Sequence, residues 1–149
     1  MSPLRCAVFG AGRIGRIHAA NVARHVDGAQ LVAVADIDPV AGRTLADHLG
    51  VSTVTTDYAE LLHRDDIEAV VVCTPTSTHY DVLLASIAAG KAIFAEKPID
   101  LALSRIDAIN AAVATHGVPM MVGFQRRYDP DFARVQAMVE AGAVGDVQI

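Results

Sequence analysis

Three glycines near the start of the chain have the spacing of a phosphate-binding turn. Gly10, Gly12 and Gly15 form the pattern G-x-G-x-x-G between an apolar, strand-like segment and a helix-like segment. The first glycine permits a tight turn, the second leaves room for a diphosphate, and the third lets the helix lie close to the strand. The amino end of that helix, at Arg13 and Ile14, offers unpaired backbone N–H groups to an anion.

A carboxylate, Asp36, ends the next apolar segment, about 20 residues beyond the glycines. An acidic side chain at this position accepts hydrogen bonds from both hydroxyls of an adenosine ribose, and it would repel a 2′-phosphate. The following residues, Ile37 and Asp38, supply no cation to offset that repulsion. The pattern therefore predicts NAD as cofactor, with Asp36 and Ile37 at its site. The alternative is that Asp36 is an ordinary turn carboxylate.

Strand-like and helix-like segments alternate along the chain. Strands are predicted at 4–9, 30–35, 52–54, 69–73, 92–95 and 119–122, and helices at 13–26, 39–49, 57–63, 77–89, 104–116 and 130–141. This alternation predicts an α/β fold, a doubly wound parallel sheet of the Rossmann type with helices on both faces. Such a sheet binds its ligand at the carboxyl ends of the strands.

The helix ends and apolar faces carry further predictions. Asp57, Ser77 and Ser104 are predicted N-caps, because short polar side chains accept hydrogen bonds from the first free N–H groups of a helix. In the last helix, Phe132, Val135 and Val139 form one apolar stripe, which is interpreted as core packing.

Polar segments follow the fourth, fifth and sixth predicted strands, where the ligand crevice should lie. Thr74 and Thr76 carry short hydroxyl side chains that could meet the ribose on the nicotinamide side. His79 could donate to a ribose or a carboxamide, or it could simply occupy the first turn of a helix.

Lys97 is the candidate residue for proton transfer. An ammonium group near a nicotinamide can hydrogen-bond a substrate hydroxyl and take part in acid–base chemistry. Its neighbour Glu96 would either orient the lysine or bind the cofactor ribose. The alternative is a surface Glu–Lys pair beside the turn proline Pro98.

Composition excludes several other classes of protein. The chain has 149 residues, 52% of them hydrophobic, and a net charge of −5, which suits one α/β domain with a buried core. Its scattered basic residues argue against binding to nucleic acid. We find no apolar run of about 20 residues and no secretory leader, so no membrane span and a cytoplasmic protein are expected.

Histidines and cysteines show no metal-ligand spacing, so no metal site is predicted. The histidines outside the strand-end segments, His18 among them, are interpreted as surface or helix-packing residues. Cys6 and Cys73 lie within predicted strands and are expected to be buried thiols that form no disulfide.

Four segments together resemble a known family. They are residues 10–19 around the glycine turn, 74–79, Ala95-Glu96-Lys97-Pro98, and 123–130. The combination is similar to the N-terminal half of the Gfo/Idh/MocA family, which includes glucose-fructose oxidoreductase and inositol 2-dehydrogenase. The segment 123–130 is similar to the inositol 2-dehydrogenase branch.

This resemblance implies a function and a set of site residues. The function is NAD-dependent oxidation of a secondary hydroxyl on a cyclic polyol or sugar, with Lys97 in the catalytic set and Arg127 reaching the substrate. The implied dinucleotide site comprises Gly10, Gly12, Arg13, Ile14, Asp36, Thr74, His79, Glu96 and Gln125. Two alternatives stay open, a non-catalytic NAD-binding redox-sensor module and a NADP-dependent sugar dehydrogenase.

The resemblance also implies a division of the chain. Residues 1–123 would form the dinucleotide-binding domain, and residues 124–149 a linker helix and the first strand of a truncated second α+β domain. In the family that second domain supplies a catalytic aspartate and histidine and the homo-oligomer interface, and no position in this sequence corresponds to either residue. The chain by itself is therefore expected to be inactive.

Overall fold

A computed structural model describes residues 2–148 as one parallel sheet covered by helices on both faces. The strands are β1 (Leu4–Phe9), β2 (Ala29–Ala35), β3 (Thr53–Thr55), β4 (Ala69–Val72), β5 (Ala92–Ala95) and β6 (Met120–Val122). The helices are α1 (Arg13–Arg24), α2 (Pro39–Leu49), α3 (Tyr58–Leu62), α4 (Thr76–Ala88), α5 (Leu103–His116) and α6 (Pro130–Glu140), with a 3₁₀ helix at Gln125–Tyr128 before α6. The predicted doubly wound α/β fold is confirmed.

The strand order sets the place of the ligand crevice. The order across the sheet is β3-β2-β1-β4-β5-β6, and every neighbouring pair is parallel. The chain moves outward from β1 in one direction and then returns to start β4 on the other side. The helices that follow β1 and β4 therefore leave in opposite directions, which opens a crevice between these two strands at their carboxyl ends.

Two apolar clusters, one on each face, hold the sheet between its helices. Phe9 of β1 packs with Leu83 and Ile109 on the face covered by α4 and α5, while Val8 packs with Leu45 on the face covered by α1 and α2. Successive side chains of a strand point to opposite faces. A stretch of strand buried on both faces must therefore be apolar, which is the pattern of β4 and of residues 6–9 in β1.

The last helix departs from its prediction. The stripe of Phe132, Val135 and Val139 in α6 is exposed, and no residue of α6 is buried within the described chain. The interpretation of this stripe as core packing is wrong for residues 2–148, because α6 lies beyond the sheet and packs mainly on the 3₁₀ helix.

The end of the chain leaves one prediction open. Residues 145–148 form no strand, and Ile149 lies outside the described residues. The predicted first strand of a second domain and the boundary at residue 123 therefore stay predictions.

Within residues 2–148, none of the helices combines the length and the apolar character that crossing a membrane requires.

Candidate functional site

The glycine turn joins β1 to α1. It packs closely on the protein at Gly10 and Gly15, and it faces open space at Gly12. Gly10 has a φ of +99°, and a Cβ there would lie 2.6 Å from the carbonyl oxygen of Cys73. A Cβ at Gly15 would collide with the carbonyl oxygen of Gly10. At Gly12, by contrast, a Cβ would meet no atom within 4 Å. The turn therefore leaves an open space in front of the amino end of α1.

The amino end of α1 has free hydrogen-bond donors. Gly12 occupies the N-cap position, and no side chain within residues 2–148 caps the helix there. The first N–H groups of an α-helix have no partner inside the helix, and together with the helix dipole they favour an anion. The open space at Gly12 is therefore suited to a phosphate group.

Asp36 lies at the end of β2 with both carboxylate oxygens oriented by the backbone. Oδ2 accepts a hydrogen bond from the N–H of Ala11, and Oδ1 accepts one from the N–H of Asp38 at 2.8 Å. The contact with Ala11 fixes the carboxylate against the glycine turn. Each oxygen keeps a second lone pair that a sugar hydroxyl can use.

A cleft of about 490 Å³ extends across the ends of β1, β2 and β4. Seven predicted cofactor residues line it, namely Gly10, Gly12, Arg13, Ile14, Asp36, Ile37 and Thr74. Thr56, Tyr58 and Thr78 also line the cleft and were not predicted. Thr56 directly follows β3, so its position at the end of a predicted strand was a signal present in the sequence.

Thr74 offers an unused hydrogen-bonding group beside this cleft. Its Oγ1 is buried and has no partner among the residues that the structure describes. A buried polar group without a partner costs about 1–3 kcal/mol. A ligand that supplies a partner would remove this cost, so Thr74 fits a cofactor with hydroxyl groups.

Thr74→Val should separate stability from cofactor binding. We expect the free energy of unfolding to stay the same or to rise by about 1 kcal/mol, because an unsatisfied hydroxyl is removed, while NAD binds roughly 5- to 10-fold more weakly. Chemical denaturation and calorimetric titration measure the two quantities. Thr78→Val is the matched control and should lower stability, because Thr78 Oγ1 donates to the carbonyl of Pro75 at 2.8 Å. A clear loss of stability in Thr74→Val would contradict this account.

Both cysteines are buried free thiols, as predicted. Burial raises the pKa of the Cys73 thiol to about 12, and the negative charge of Glu96 adds to the shift. The thiolate is the reactive form of cysteine, so Cys73 stays a neutral part of the cleft wall near pH 7.

His79 lies behind the cleft and not in its lining. Its side chain is buried, with Nδ1 and Nε2 each 2.9 Å from a backbone carbonyl oxygen, of Pro98 and of Thr74 respectively. The ring therefore connects the segments that follow β4 and β5. Thr76 opens α4 and also lies outside the lining of the cleft. Direct contact of either residue with a cofactor stays a prediction.

Three of the remaining predicted residues border two other cavities. Glu96 and Gln125 line one of about 300 Å³, at the ends of β5 and β6. Lys97 is exposed and lines another of about 530 Å³, which extends toward α5. Arg127 lies exposed in the 3₁₀ helix and lines none of these three cavities. The structure thus gathers the residues predicted for the diphosphate and adenosine, and it separates them from Lys97 and Arg127.

One contact at the second cavity had no signal in the sequence. His18 of α1 lies 2.8 Å from Glu96, measured from Nε2 to Oε1. The two residues are 78 positions apart, and no local spacing relates them. They meet because α1 packs across the sheet and the His18 ring reaches Phe94 of β5.

Comparison with known proteins agrees with this geometry. The model of the oxidoreductase family with an NAD-binding Rossmann fold, Gfo/Idh/MocA, matches residues 4–124. Inositol 2-dehydrogenase of Rhizobium meliloti (strain 1021) is 44% identical over 146 residues, which are 98% of this chain and 43% of that protein. The scyllo-inositol 2-dehydrogenase (NAD(+)) of Bacillus subtilis (strain 168) is 42% identical over 144 residues, 95% of this chain and 42% of that protein.

A solved structure gives the same result. Scyllo-inositol dehydrogenase from Lactobacillus casei, crystallised with bound NAD(H) and scyllo-inositol, superposes with a TM-score of 0.90 at 31% identity. The superposition covers 97% of this chain and 43% of that one, so the chain spans less than half the length of the relatives it matches. With the family model matching from β1 through β6, the chain belongs to the Gfo/Idh/MocA oxidoreductase family.

Proposed function

We propose that this chain binds NAD in the 490 Å³ cleft and is the cofactor-binding part of a dehydrogenase. The proposal rests on one observation. The open space at Gly12 in front of α1, which we call the phosphate cradle, and the carboxylate of Asp36 belong to the same cleft. A 2′-phosphate placed at Asp36 would meet a negative charge, so this pairing favours NAD over NADP. On this proposal residues 1–123 are the dinucleotide-binding domain, and residues 124–149 lead into the remainder of the protein.

Each part of the cleft has one task in this proposal. The free N–H groups at the start of α1 bind the diphosphate, and Asp36 accepts hydrogen bonds from the adenosine ribose. The hydroxyl of Thr74, which lacks a partner within the described chain, hydrogen-bonds a polar group on the nicotinamide side.

We propose a cyclic polyol of the inositol type as substrate, oxidised at a secondary hydroxyl. The names of the relatives from Rhizobium meliloti and Bacillus subtilis support this substrate class. NAD, when bound, supplies the acceptor for the hydride that leaves the substrate carbon. Lys97, at the end of β5, hydrogen-bonds the hydroxyl group of the substrate and takes part in the transfer of its proton.

The two lysines of the chain are placed very differently, which supports this role for Lys97. Lys91 is buried, and its Nζ donates to the carbonyls of Arg64 and Ile67 at 2.8 Å. Lys91 is therefore committed to the structure of the amino-terminal side of the sheet. Lys97 is exposed at the opposite, carboxyl-terminal side, where ligands bind.

Lys97→Ala in the whole protein tests the proposed reaction. With myo-inositol or scyllo-inositol and NAD, we expect kcat to fall by about 100-fold or more, because a positioned acid–base group contributes about 10²–10⁴-fold. The dissociation constant for NAD should stay within about twofold. Formation of NADH, followed by absorbance, measures kcat, and Lys97→Arg is the matched variant that keeps the charge but transfers protons poorly. An unchanged kcat in Lys97→Ala would support the redox-sensor alternative instead.

A further inference from the structure

A second group of side chains lies between α1 and the segment that carries Lys97. His18 Nε2 lies 2.8 Å from Glu96 Oε1, and the two side chains are only 22% and 12% exposed. Water therefore competes weakly for this hydrogen bond, unlike the exposed pairs whose contribution is usually small. The His18 ring also packs on Phe94 of β5, with the ring centroids 5.0 Å apart.

The Glu96 carboxylate is held from several sides. A Cβ at Gly123 would lie 3.3 Å from Glu96 Oε1 and 3.0 Å from the Phe94 ring, so the glycine at the end of β6 leaves room for both groups. The other oxygen, Oε2, accepts a hydrogen bond from the backbone N–H of Lys97 at 3.1 Å. The Glu96 carboxylate thus contacts both His18 of α1 and the backbone N–H of Lys97.

We infer that His18 is a positioning residue for Lys97. Through Glu96 it fixes the backbone of Lys97 relative to α1, the helix whose amino end forms the phosphate cradle. Of the two roles that the sequence leaves open for Glu96, this geometry favours orientation of the lysine. The inference rests on the proposed function, because it assumes that Lys97 transfers the proton.

A spectrum of the chain labelled with ¹⁵N-lysine tests the physical link without any assay of activity. Only Lys91 and Lys97 then give backbone amide signals. His18→Leu should move the Lys97 signal upfield in the proton dimension, because Glu96 is released and the N–H loses its acceptor. Lys91 is the internal reference, because its N–H donates to the carbonyl of Ser86.

Two further variants make this spectrum decisive. His18→Gln can still donate to Glu96 and should return the Lys97 signal close to its original position. His25→Leu removes an exposed histidine just past the end of the same helix and should leave both signals unchanged. An unmoved Lys97 signal in His18→Leu would overturn the inference.

Kinetics of the whole protein test the consequence for catalysis. His18→Leu should lower kcat by about 10- to 100-fold, because a small displacement of a catalytic group costs up to that much. The dissociation constant for NAD should stay within about twofold, and His18→Gln should restore most of kcat. A merely structural role would instead affect binding and turnover together.

Gly123→Ala gives an independent check if His18→Leu folds poorly. The added methyl group would approach the Glu96 carboxylate and the Phe94 ring while leaving His18 itself unchanged, and kcat should fall in a similar way. Normal kcat in both variants would overturn the inference. If the unchanged protein oxidises no inositol, the proposed function fails, and the amide spectrum alone decides whether His18 positions Lys97.

Discussion

Gly12→Val is expected to fold like the unchanged chain and to bind NAD at least about 100-fold more weakly. The backbone at Gly12 has φ −68° and ψ −172°, which valine adopts readily, and its Cβ would meet no atom within 4 Å. The side chain would instead fill the space in front of α1. Loss of one or two charge-assisted hydrogen bonds to the diphosphate, at about 1.5–3 kcal/mol each, accounts for the expected weakening.

Thermal unfolding and calorimetric titration measure the two effects separately. The free energy of unfolding should change by no more than about 1 kcal/mol, the usual effect of replacing an N-cap residue. Tight NAD binding by a folded Gly12→Val chain would show that the diphosphate does not bind at this turn.

Gly15→Ala is the matched comparison, since the same glycine turn should respond in the opposite way. A Cβ at Gly15 would collide with the carbonyl oxygen of Gly10 and lie 2.9 Å from its carbonyl carbon. Either the turn or α1 must move, and we expect a loss of about 1–3 kcal/mol of stability together with weaker binding. Unchanged stability in Gly15→Ala would contradict the close packing described for this turn.

Asp36→Ala is expected to weaken NAD binding by about 100-fold and to leave NADP binding nearly unchanged. The alanine removes two hydrogen bonds between ribose hydroxyls and a carboxylate, and it also removes the repulsion of a 2′-phosphate. Adding Ile37→Arg should turn the preference toward NADP, because Ile37 is 89% exposed and an arginine there can pair with the phosphate. Titration of each variant with both cofactors measures the ratio of affinities.

Asp38→Ala is the control for this change of preference. Asp38 is a neighbouring carboxylate that caps α2, because its side chain accepts from the N–H groups of Val40 and Ala41. Its loss should cost about 1 kcal/mol of stability and leave the ratio of NAD to NADP affinity unchanged. A ratio that is the same in Asp36→Ala and in the unchanged chain would refute the role given to Asp36.

Most of the fold could be predicted because its signals are local. The first strand, the fifth strand and the second helix were predicted with the bounds that the structure shows, 4–9, 92–95 and 39–49. Apolar runs of strand length, followed by turns, are sufficient for such elements. The orientation of α6 could not be predicted, because an apolar stripe specifies that a face should be covered and not what covers it.

The helix N-caps show where local signals compete. Asp57 caps α3 as predicted, by accepting from the N–H of Ala59. Ser77 and Ser104 are not N-caps, because α4 begins directly after Pro75 and α5 directly after Ala102. At α5 the side chain of Asp100 accepts from the N–H of Ala102 and starts the turn earlier than the serine would.

The residues of the candidate site also differ in how far local sequence signals could predict them. Gly12 and Asp36 could be predicted because a fixed spacing relates them to the strands they follow. The contact between His18 and Glu96 could not, since it depends on how α1 packs across the sheet. The sequence also could not show that His79 and Thr76 lie outside the lining of the cleft. Contact of these residues with a cofactor was predicted only because their segment follows the end of β4.

Calorimetric titration of the chain with NAD and with NADP is the sharpest test of the cofactor site. We expect saturable binding of NAD at one site and binding of NADP that is at least about tenfold weaker, a difference of about 1.4 kcal/mol or more. No binding of either dinucleotide, or tighter binding of NADP, would contradict the assignment of the cleft between the glycine turn and Asp36.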